Sequence, residues 1–467
     1  MFKFIKAKPT MPAVTRKKKA YRSFAFSTAE KETERALPTD FSLNFTFDGG
    51  ALTSKIGSKW QYGENNAANF QFGDVYHYRG GGQDQLLLFE PSTHRLYRMS
   101  LSADPVSVSL LSTGFTMLGK AAFFTQADGS SRLLFCMEES VFAYNGNSLV
   151  LVSAAPSAKA ICVCCERVFL LSTEVKNRIY FSAPQSQTEW AAASASAGYI
   201  DFPPQEGEIL GLFACGNRVY LPRAGGKITV LKVNGENTAF VAETVYGGFG
   251  KAKEGTFQVC NGQLVFLCED GLFSFNGNAV TKLARALTEK IAAAETGAFN
   301  SGVYGAYYLL HYTDKNGEHR TLFVNPLTEE GFFTDFNIAA CTDDGGDALV
   351  LKDGAPAYLT DVSANGNQEV EKVWRSKETA FGFGSGRKLL RTVALRGNGK
   401  FTLTVEAREG AHVREKRKFT LRLADGIERV FPLLKGDVFR FTIESEEDEL
   451  RLEGLQITAD VYREEGL

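Results

Sequence analysis

The residues whose chemistry could define a site are eight cysteines, five histidines and a few adjacent pairs of carboxylates. Cys162, Cys164 and Cys165 offer thiolate ligands for zinc, but neither the remaining cysteines nor the histidines supply the second pair that a tetrahedral site needs. Several cysteines lie in apolar runs such as ICVCC and LVFLC, where a free thiol packs as a small hydrophobic group. We therefore expect no metal ion, no cofactor and a reducing compartment.

Adjacent carboxylates could serve as the acid and base of a glycosidase if two of them met in a central funnel. The candidates are Glu138/Glu139, Glu269/Asp270 and Asp343/Asp344. The first two pairs interrupt repeated apolar runs, a position typical of solvated turns. The segment FSAPQSQTEW (181–190) lacks the Asp and Gly of a sialidase Asp-box, and the chain has no P-loop, Rossmann fingerprint, metalloprotease motif or nucleophile elbow. The sequence predicts no catalytic residues and a protein that is not an enzyme.

Basic residues are concentrated at the start of the chain, where residues 1–22 contain no acidic residue. The residues that could contact nucleic-acid phosphates or serve as a targeting signal are Arg16, Lys17, Lys18, Lys19 and Arg22. The alternative is a solvated tail that orders against another copy. The net charge of the whole chain is −2, so the protein as a whole has no excess of positive charge for nucleic acid or an anionic membrane. We predict a basic N-terminal arm over residues 1–40.

A repeat of short apolar runs dominates the middle of the chain of 467 residues. The composition, with 45 Gly and 37 Phe against 5 Met, favours turns and strands over helices. Seven hairpin-like pairs follow one another, at 85–99, 132–147, 167–182, 217–233, 263–278, 305–325 and 347–360. A period of ~40–50 residues built from hairpins is typical of a β-propeller, in which neighbouring blades cover apolar faces that one hairpin cannot bury. We predict an all-β chain with a propeller over 41–366, seven blades being preferred and six to eight possible. Two β-sandwiches are the alternative.

Two repeats match residue by residue, LFCMEESVFAYNGN (134–147) and VFLCEDGLFSFNGN (265–278). In both, Asn and Gly are residues that tolerate the positive φ angles of a tight turn. One segment departs from the β pattern: KLARALTEKIAAAET (282–296) has an apolar residue every fourth position and predicts a helix inserted between blades. After the propeller, alternation of apolar and polar residues in FTLTVEAR (401–408) and three later runs predicts a small β-sandwich or jelly-roll domain over 367–467.

The order of several motifs resembles a family of bacteriophage and prophage tail proteins. These motifs are NRIYFSAPQSQTEW (177–190), NRVYL (217–221), the glycines 247, 248 and 250, LVFLCEDGLFSFNG (264–277), and the ending VWRSKETAFGFGSGRKLL (373–390). The resemblance implies a structural component of a phage tail, similar to the propeller-bearing nozzle or packaged-DNA stabilisation proteins of short-tailed phages. It implies a ring of identical copies below the head-to-tail connector in the virion tail, with portal, adaptor and other tail proteins as neighbours and passive contact with packaged DNA. It transfers no functional residues.

Other functions remain open at this point. A carbohydrate-binding or glycan-cleaving propeller would use the aromatic side chains, among them Trp60, Trp190 and Trp374, to stack on sugars. An interaction scaffold of the kelch or WD40 kind is disfavoured because neither family's signature recurs at the blade period. No apolar run approaches the ~18 residues needed to cross a bilayer, and the N-terminus does not read as a secretion signal, so we expect no membrane partner.

Overall fold

The computed structural model describes residues 15–27, 35–54, 57–60, 71–101, 108–115, 119–191, 196–236, 239–284, 288, 291, 299–344, 347–352, 354–360, 370–383 and 386–464. It divides into two compact units. One is Ile56–Gln368, and the other combines Met1–Lys55 with Glu369–Leu467.

The described residues form strands numbered here in chain order, with one 3-10 helix at Pro204–Glu206. The first five are β1 (Thr15–Ser27), β2 (Ala36–Leu43), β3 (Thr46–Asp48), β4 (Ala51–Thr53) and β5 (Gly57–Trp60). Next are β6 (Asp74–Gly80), β7 (Gln83–Glu90), β8 (Arg95–Ser100), β9 (Val108–Thr113), β10 (Ala121–Thr125), β11 (Ser131–Met137), β12 (Ser140–Tyr144) and β13 (Leu149–Leu151). They continue with β14 (Ala158–Cys164), β15 (Arg167–Ser172), β16 (Arg178–Phe181), β17 (Gly198–Asp201), β18 (Phe213–Cys215), β19 (Arg218–Arg223), β20 (Lys227–Lys232) and β21 (Val241–Tyr246).

The remaining strands follow in the same way. They begin with β22 (Gln258–Cys260), β23 (Gln263–Cys268), β24 (Gly271–Phe275), β25 (Val280–Leu283), β26 (Asn300–Tyr304), β27 (Tyr307–Thr313), β28 (His319–Val324) and β29 (Gly331–Thr334). They end with β30 (Ile338–Asp344), β31 (Asp347–Lys352), β32 (Ala355–Thr360), β33 (Lys372–Ser376), β34 (Lys388–Glu409), β35 (His412–Val430), β36 (Leu434–Gly436), β37 (Val438–Ser445) and β38 (Arg451–Glu464).

Strands of the unit Ile56–Gln368 pair in antiparallel runs of four. Separate four-stranded sheets are formed by β6 to β9, β10 to β13, β14 to β17, β18 to β21, β22 to β25, and by β30, β31, β32 and β5. Strands β26 to β29 pair in the same consecutive order, although not as a separate four-stranded sheet. In the last sheet β5 pairs with β32, so a strand from the start of this unit completes the sheet at its end.

The runs follow one another around a ring. Their first strands contact each other in the order β10, β14, β18, β22, β26, β30 and β6, and β6 contacts β11 of the run that β10 opens. Apolar side chains fill the space between neighbouring sheets: Leu134 and Cys136 of β11, for example, share one cluster with Val168 and Leu170 of β15. The all-β propeller prediction is confirmed. The preferred count of seven blades stays a prediction, because only six of the runs are separate four-stranded sheets.

The two Asn-Gly turns lie after β12 and β24 and take the same shape. Gly146 and Gly277 both have a φ of +95°. Only the glycine of each pair adopts a positive φ. The side-chain oxygens of Asn145 and Asn276 accept backbone N–H groups from the residues two and three positions later, at 2.9 to 3.0 Å. The φ of Gly146 is one that residues with a Cβ rarely adopt, and a Cβ there would also displace the side-chain oxygen of Gln83 in the preceding sheet, so glycine is favoured at this turn.

Three cysteines occupy equivalent places at the ends of successive first strands. Each thiol lies near a backbone carbonyl in the turn that follows the first strand of the next sheet. The sulfur-to-oxygen distances are 3.5 Å from Cys164 to Gly216, 3.3 Å from Cys215 to Gly262 and 3.6 Å from Cys260 to Ala306. These thiols therefore help to pack neighbouring sheets.

The predicted helix over 282–296 falls largely outside the described residues. Its first two positions, 282 and 283, belong to β25, so the predicted start is wrong. Within the rest, the N–H of Thr288 donates to the carbonyl of Ala284 at 3.1 Å, and Ile291 is buried. Across the described ranges, no helix combines the length and the apolar character that spanning a bilayer requires.

The second unit is built from both ends of the chain. Its longest strand, β34, pairs with β35, with β38 over residues 388–398 and with β37 over residues 402–408. Strand β1 pairs antiparallel with β38 over residues 15–24 and parallel with β2 over residues 25–27. The predicted boundaries at 40 and 367 therefore differ from the observed division, since N-terminal strands complete the C-terminal unit. Its sandwich or jelly-roll architecture stays a prediction.

Aromatic side chains explain why β1 is part of this unit. Phe24 and Phe26 alternate with exposed or half-buried residues along the strand and are both buried. The ring of Phe26 meets that of Trp374 edge to face, with 4.9 Å between centroids. The indole N–H of Trp374 donates to the hydroxyl of Thr39 on β2 at 2.9 Å. These contacts join β1, β2 and β33 in one core.

Candidate functional site

All five basic residues singled out in the sequence lie on β1. Lys18 and Lys19 are exposed and lie on opposite faces of the strand, and the ammonium of Lys19 is 5.3 Å from the ring centroid of Tyr21. Arg22 instead places its guanidinium 5.0 Å from the ring of Phe383, and within the described part of the chain its buried Nε has no hydrogen-bond acceptor. The side chains of Arg16 and Lys17 lie outside the described residues. The predicted arm is therefore a paired strand, of which Lys18 and Lys19 are the described, exposed cations.

A cleft of about 1120 Å³ in the same unit has the opposite charge. Its described charged lining consists of Glu371, Glu444, Glu446, Glu447, Asp448, Glu449, Lys400 and Lys418. Residues 446–449 lie in the loop between β37 and β38, and all four are exposed. The described lining therefore carries four more negative than positive charges at neutral pH.

Backbone contacts hold this acidic loop in place. The hydroxyl of Ser445 donates to the carbonyl of Lys400 at 2.7 Å and accepts the N–H of Glu447 at 3.1 Å. The hydroxyl of Ser54, after β4, donates to the carbonyl of Asp448 at 2.8 Å. These hydrogen bonds join the loop to two other parts of its unit, so the backbone that carries the carboxylates is held in place.

Only part of the negative charge in the cleft is compensated. Lys418 lies 3.4 Å from Glu444, and Lys372 lies 4.0 Å from Asp448. Within the described ranges, Glu446, Glu447 and Glu449 form no ion pair. These three carboxylates are available to a partner of positive charge.

The exposed edge strand β35 is a poor template for strand addition. It exposes every side chain over residues 412–418, several of them cationic. The strand also bulges. Leu423 opposes Gly399 and Gly426 opposes Gly397, so an advance of three residues along β35 matches an advance of two residues along β34. Charged side chains and bulges are the means by which natural edge strands avoid pairing with other chains.

Ion pairs fix the tip of the β34–β35 hairpin. Glu409 pairs with Arg387 and Arg414. Burial acts to raise the pKa of Glu409, but the hydrogen bond from Arg414 and the two guanidinium charges lower it below its ordinary value. This carboxylate therefore remains charged at neutral pH and keeps the tip ordered.

The carboxylate pairs considered for catalysis do not form a common site in the described structure. Glu138 and Glu139 form the two-residue turn between β11 and β12, with φ of +47° and +67°. Glu269 and Asp270 form the corresponding turn between β23 and β24. The side chains of Asp343 and Asp344 lie outside the described residues. Among the described residues, no group of three or more His, Cys, Asp or Glu is placed to hold a metal ion.

The tryptophans considered for sugar stacking are largely part of the core. Trp190 is buried, and its indole N–H donates to the carbonyl of Gln187 at 2.8 Å. Trp374 lies in the aromatic core of the second unit, and the side chain of Trp60 is outside the described residues. No exposed tryptophan face is therefore found in the part of the chain that is described.

Comparisons with known proteins give structural likeness only. No protein-family model matches the chain, and no curated protein matches it. BBS1N, from its crystal structure in complex with ARL6DN, is 11% identical, with 70% of this chain and 99% of that chain covered and a TM-score of 0.42. BamB from Moraxella catarrhalis is 11% identical over 61% of this chain and 93% of its own, with a TM-score of 0.33. Hsv2 from Kluyveromyces lactis is 13% identical over 50% and 71%, with a TM-score of 0.32. The fold is assigned from the strand pairing described above.

Proposed function

We propose that the chain is a structural component of a bacteriophage or prophage tail that acts by assembling into a ring of identical copies. The sequence resemblance supplies the biological setting, namely the virion tail with portal and adaptor proteins as neighbours. The observation that supports assembly is the presence of exposed groups of opposite charge on one unit: Lys18 and Lys19, which lie on opposite faces of β1, and the cleft lined by Glu446 and Glu447.

Groups of opposite charge at two different places on one copy favour a head-to-tail contact. A contact in which one patch binds a different patch on the next copy repeats around a ring if the rotation closes. Lys18 and Lys19 have no carboxylate partner in the described structure, and the loop carboxylates Glu446 and Glu447 have no cation partner. Pairing one of these lysines with the loop carboxylates of another copy would compensate part of both sets of charges and would steer the approach of the copies.

The test is a charge exchange in the full chain. Native mass spectrometry and sedimentation of the wild type should show an oligomer that weakens with salt, because exposed ion pairs are screened. K18E/K19E alone and E446K/E447K alone should each remove the oligomer. A single chain that carries all four substitutions should restore it, whereas K251E/K315E, which reverses two exposed lysines elsewhere, should leave it unchanged.

Two results would contradict the proposal. One is a wild type that stays monomeric at all concentrations and salt conditions. The other is a four-substitution chain that assembles no better than the two-substitution chains, since the contact would then not be between these charges. Imaging of particles and the identity of the adjacent genes test the phage setting separately: portal, terminase or tail genes nearby are expected.

A further inference from the structure

A cavity of about 530 Å³ lies where two neighbouring propeller sheets meet, the sheet of β14 to β17 and the sheet of β18 to β21. That volume falls within the ~300–1,000 Å³ typical of small-molecule sites. We call it the Arg167 cavity. Its lining includes Cys165 and Glu166 of the turn between β14 and β15, Arg167 of β15, Ser196 before β17, and Gly235 and Glu236 after β20. A buried cation and an exposed thiol thus line the same concave space.

The guanidinium of Arg167 is held beside the cavity by backbone carbonyls. Its Nη1 donates to the carbonyl of Ser182 at 2.9 Å and to that of Ser196, and its Nη2 donates to the carbonyl of Gly235 at 3.2 Å. Ser196 and Gly235 line the cavity themselves, so these hydrogen bonds place the guanidinium at its wall. The residue is only 3% exposed. Arg167 is therefore a fixed, buried part of the site and not a mobile surface side chain.

The positive charge of Arg167 has no carboxylate partner in the described part of the chain. By contrast, Arg178 on the next strand of the same sheet pairs with Asp201 at 2.7 Å. A guanidinium has five N–H donors, and the Nε–H and one N–H on Nη2 of Arg167 have no acceptor among the described residues. Two such N–H groups, on nitrogens bonded to one carbon, suit the two oxygens of a carboxylate. Arg167 therefore retains both the charge and the donors to bind one.

Cys165 places a nucleophile in the same cavity. Of the eight cysteines it is the exposed one, since five are buried and two are half-buried. A thiolate at Cys165 acts to raise the pKa of Arg167, so the two groups interact electrostatically. The sulfur of Cys164 lies 3.9 Å from that of Cys165, but burial raises the pKa of Cys164 to about 12. Cys164 therefore stays a thiol at neutral pH and does not compete for a reagent that reaches Cys165.

We propose that the Arg167 cavity captures small organic disulfides that carry a carboxylate, with the carboxylate on the guanidinium of Arg167 and one sulfur bonded to Cys165. The thiol of Cys165 loses its proton to water, and the thiolate attacks one sulfur of the ligand. A new S–S bond to Cys165 forms, the S–S bond of the ligand breaks, and the leaving thiolate takes a proton from water. The ligand is reduced as Cys165 is oxidised, so the step needs no other oxidant.

The charge of the ligand follows from the burial of the competing groups. Glu166 and Glu236 also line the cavity and attract cations, but both are exposed, and water screens charges at such positions. The rings of Phe181 and Phe240 have their centroids 6.0 and 5.7 Å from the guanidinium carbon of Arg167. Burial acts to lower the pKa of Arg167, and the same surroundings of low dielectric constant strengthen its attraction for an anion. We therefore expect a carboxylate to be preferred over an ammonium group.

The first experiment treats the wild-type chain with three disulfides of similar length. Dithiodipropionate carries carboxylates, hydroxyethyl disulfide is neutral, and cystamine carries ammonium groups. Peptide mass spectrometry at low salt gives the rate of mixed-disulfide formation at Cys165, which is divided by the rate of the same reagent with mercaptoethanol. On this scale dithiodipropionate should react about tenfold faster than the neutral reagent, and cystamine should react slowest. Equal normalised rates for the three reagents, or a preference for cystamine, would overturn the proposal.

The second experiment repeats these rates in variants. R167M should lose the preference for dithiodipropionate, whereas R178M, which removes an arginine that already pairs with Asp201, should keep it. An unchanged preference in R167M would overturn the proposal. If R167M does not fold, the redox equilibrium of the wild type gives an independent test. The mixed disulfide of Cys165 with mercaptopropionate should be about tenfold more stable than that with mercaptoethanol, and equal stabilities would refute the contact with Arg167.

Discussion

Asp74→Asn should increase the stability of the propeller at neutral pH and not at low pH. The pKa of Asp74 is about 7 in the folded protein, against an ordinary value of 3.8. At about 1.4 kcal/mol for each pKa unit, this difference corresponds to an upper limit of about 4 kcal/mol in the free energy of unfolding. Because the side chain is only half-buried and water reaches it, we expect roughly half of that, about 2 kcal/mol.

The sign follows from proton linkage. Between the unfolded pKa of 3.8 and the folded pKa of about 7, the folded protein binds a proton that the unfolded chain has released. The wild type therefore loses stability as the pH rises through this window, and the loss is complete above it. Asparagine does not titrate, so the advantage of the variant should grow over the same window and then stay constant.

Urea unfolding followed by intrinsic fluorescence measures this difference at pH values from about 4 to about 8. Asp128→Asn is the matched control, because hydrogen bonds from the side chain and backbone of Ser130 lower the pKa of Asp128 below its ordinary value. Because both its folded and unfolded pKa lie at or below about 3.8, its stability difference should stay nearly constant over this pH range. If the advantage of Asp74→Asn is the same at every pH, burial does not control the charge of Asp74 and the reasoning fails.

Two further substitutions test the second unit. Phe26→Ala should lower the free energy of unfolding by about 3–5 kcal/mol, because a buried ring is removed, whereas Tyr21→Ala on the same strand should change it by less than about 0.5 kcal/mol, since Tyr21 is 62% exposed. Similar effects of the two in denaturant titrations would show that β1 is not part of the core. Gly397→Ala should cost at least about 2 kcal/mol, because its Cβ would lie 1.9 Å from the carbonyl oxygen of Arg451, while Gly410→Ala, whose Cβ meets nothing within 4 Å, should cost less. Equal melting temperatures for the two glycine variants would contradict the close approach.

The repeated hairpins were predictable because they are the best-buried strands. Each of the seven predicted pairs corresponds to the second and third strands of one run, such as β7 with β8 and β23 with β24. Both faces of these strands are covered by neighbouring sheets, so the sequence reads as a continuous apolar run. The fourth strands are more exposed, as β21 illustrates, and the first strands are often short, which explains why no individual prediction was made for them.

The assignment of β1 could not be made from its own sequence. Its consecutive basic residues are typical of a solvated arm, and only Phe24 and Phe26 signal burial. What makes the segment a strand is β38, more than 400 residues away, to which it pairs over ten positions. Local composition does not contain that partner.

The environments of Asp74 and Lys120 were also beyond sequence reasoning. Asp74 and Lys120 belong to no motif and lie at the starts of first strands in two different repeats. Their common feature, a missing charged partner among the described residues, exists only once the ring has brought the strands together. The acidic cleft, by contrast, had a visible signal, since ESEEDEL (444–450) is the densest run of carboxylates in the chain.

The pairing of β1 with β38 has a consequence for synthesis on the ribosome. Translation proceeds at about 5–20 residues per second, so the stretch of about 420 residues from Ser27 to Arg451 takes roughly 20–80 s. During that interval residues 15–24 have been made but β38, the strand with which they pair, has not, while the whole intervening propeller emerges and folds. The nascent chain thus carries an apolar, unpaired segment for most of its production, and the yield of native protein depends on keeping that segment from associating with other nascent chains.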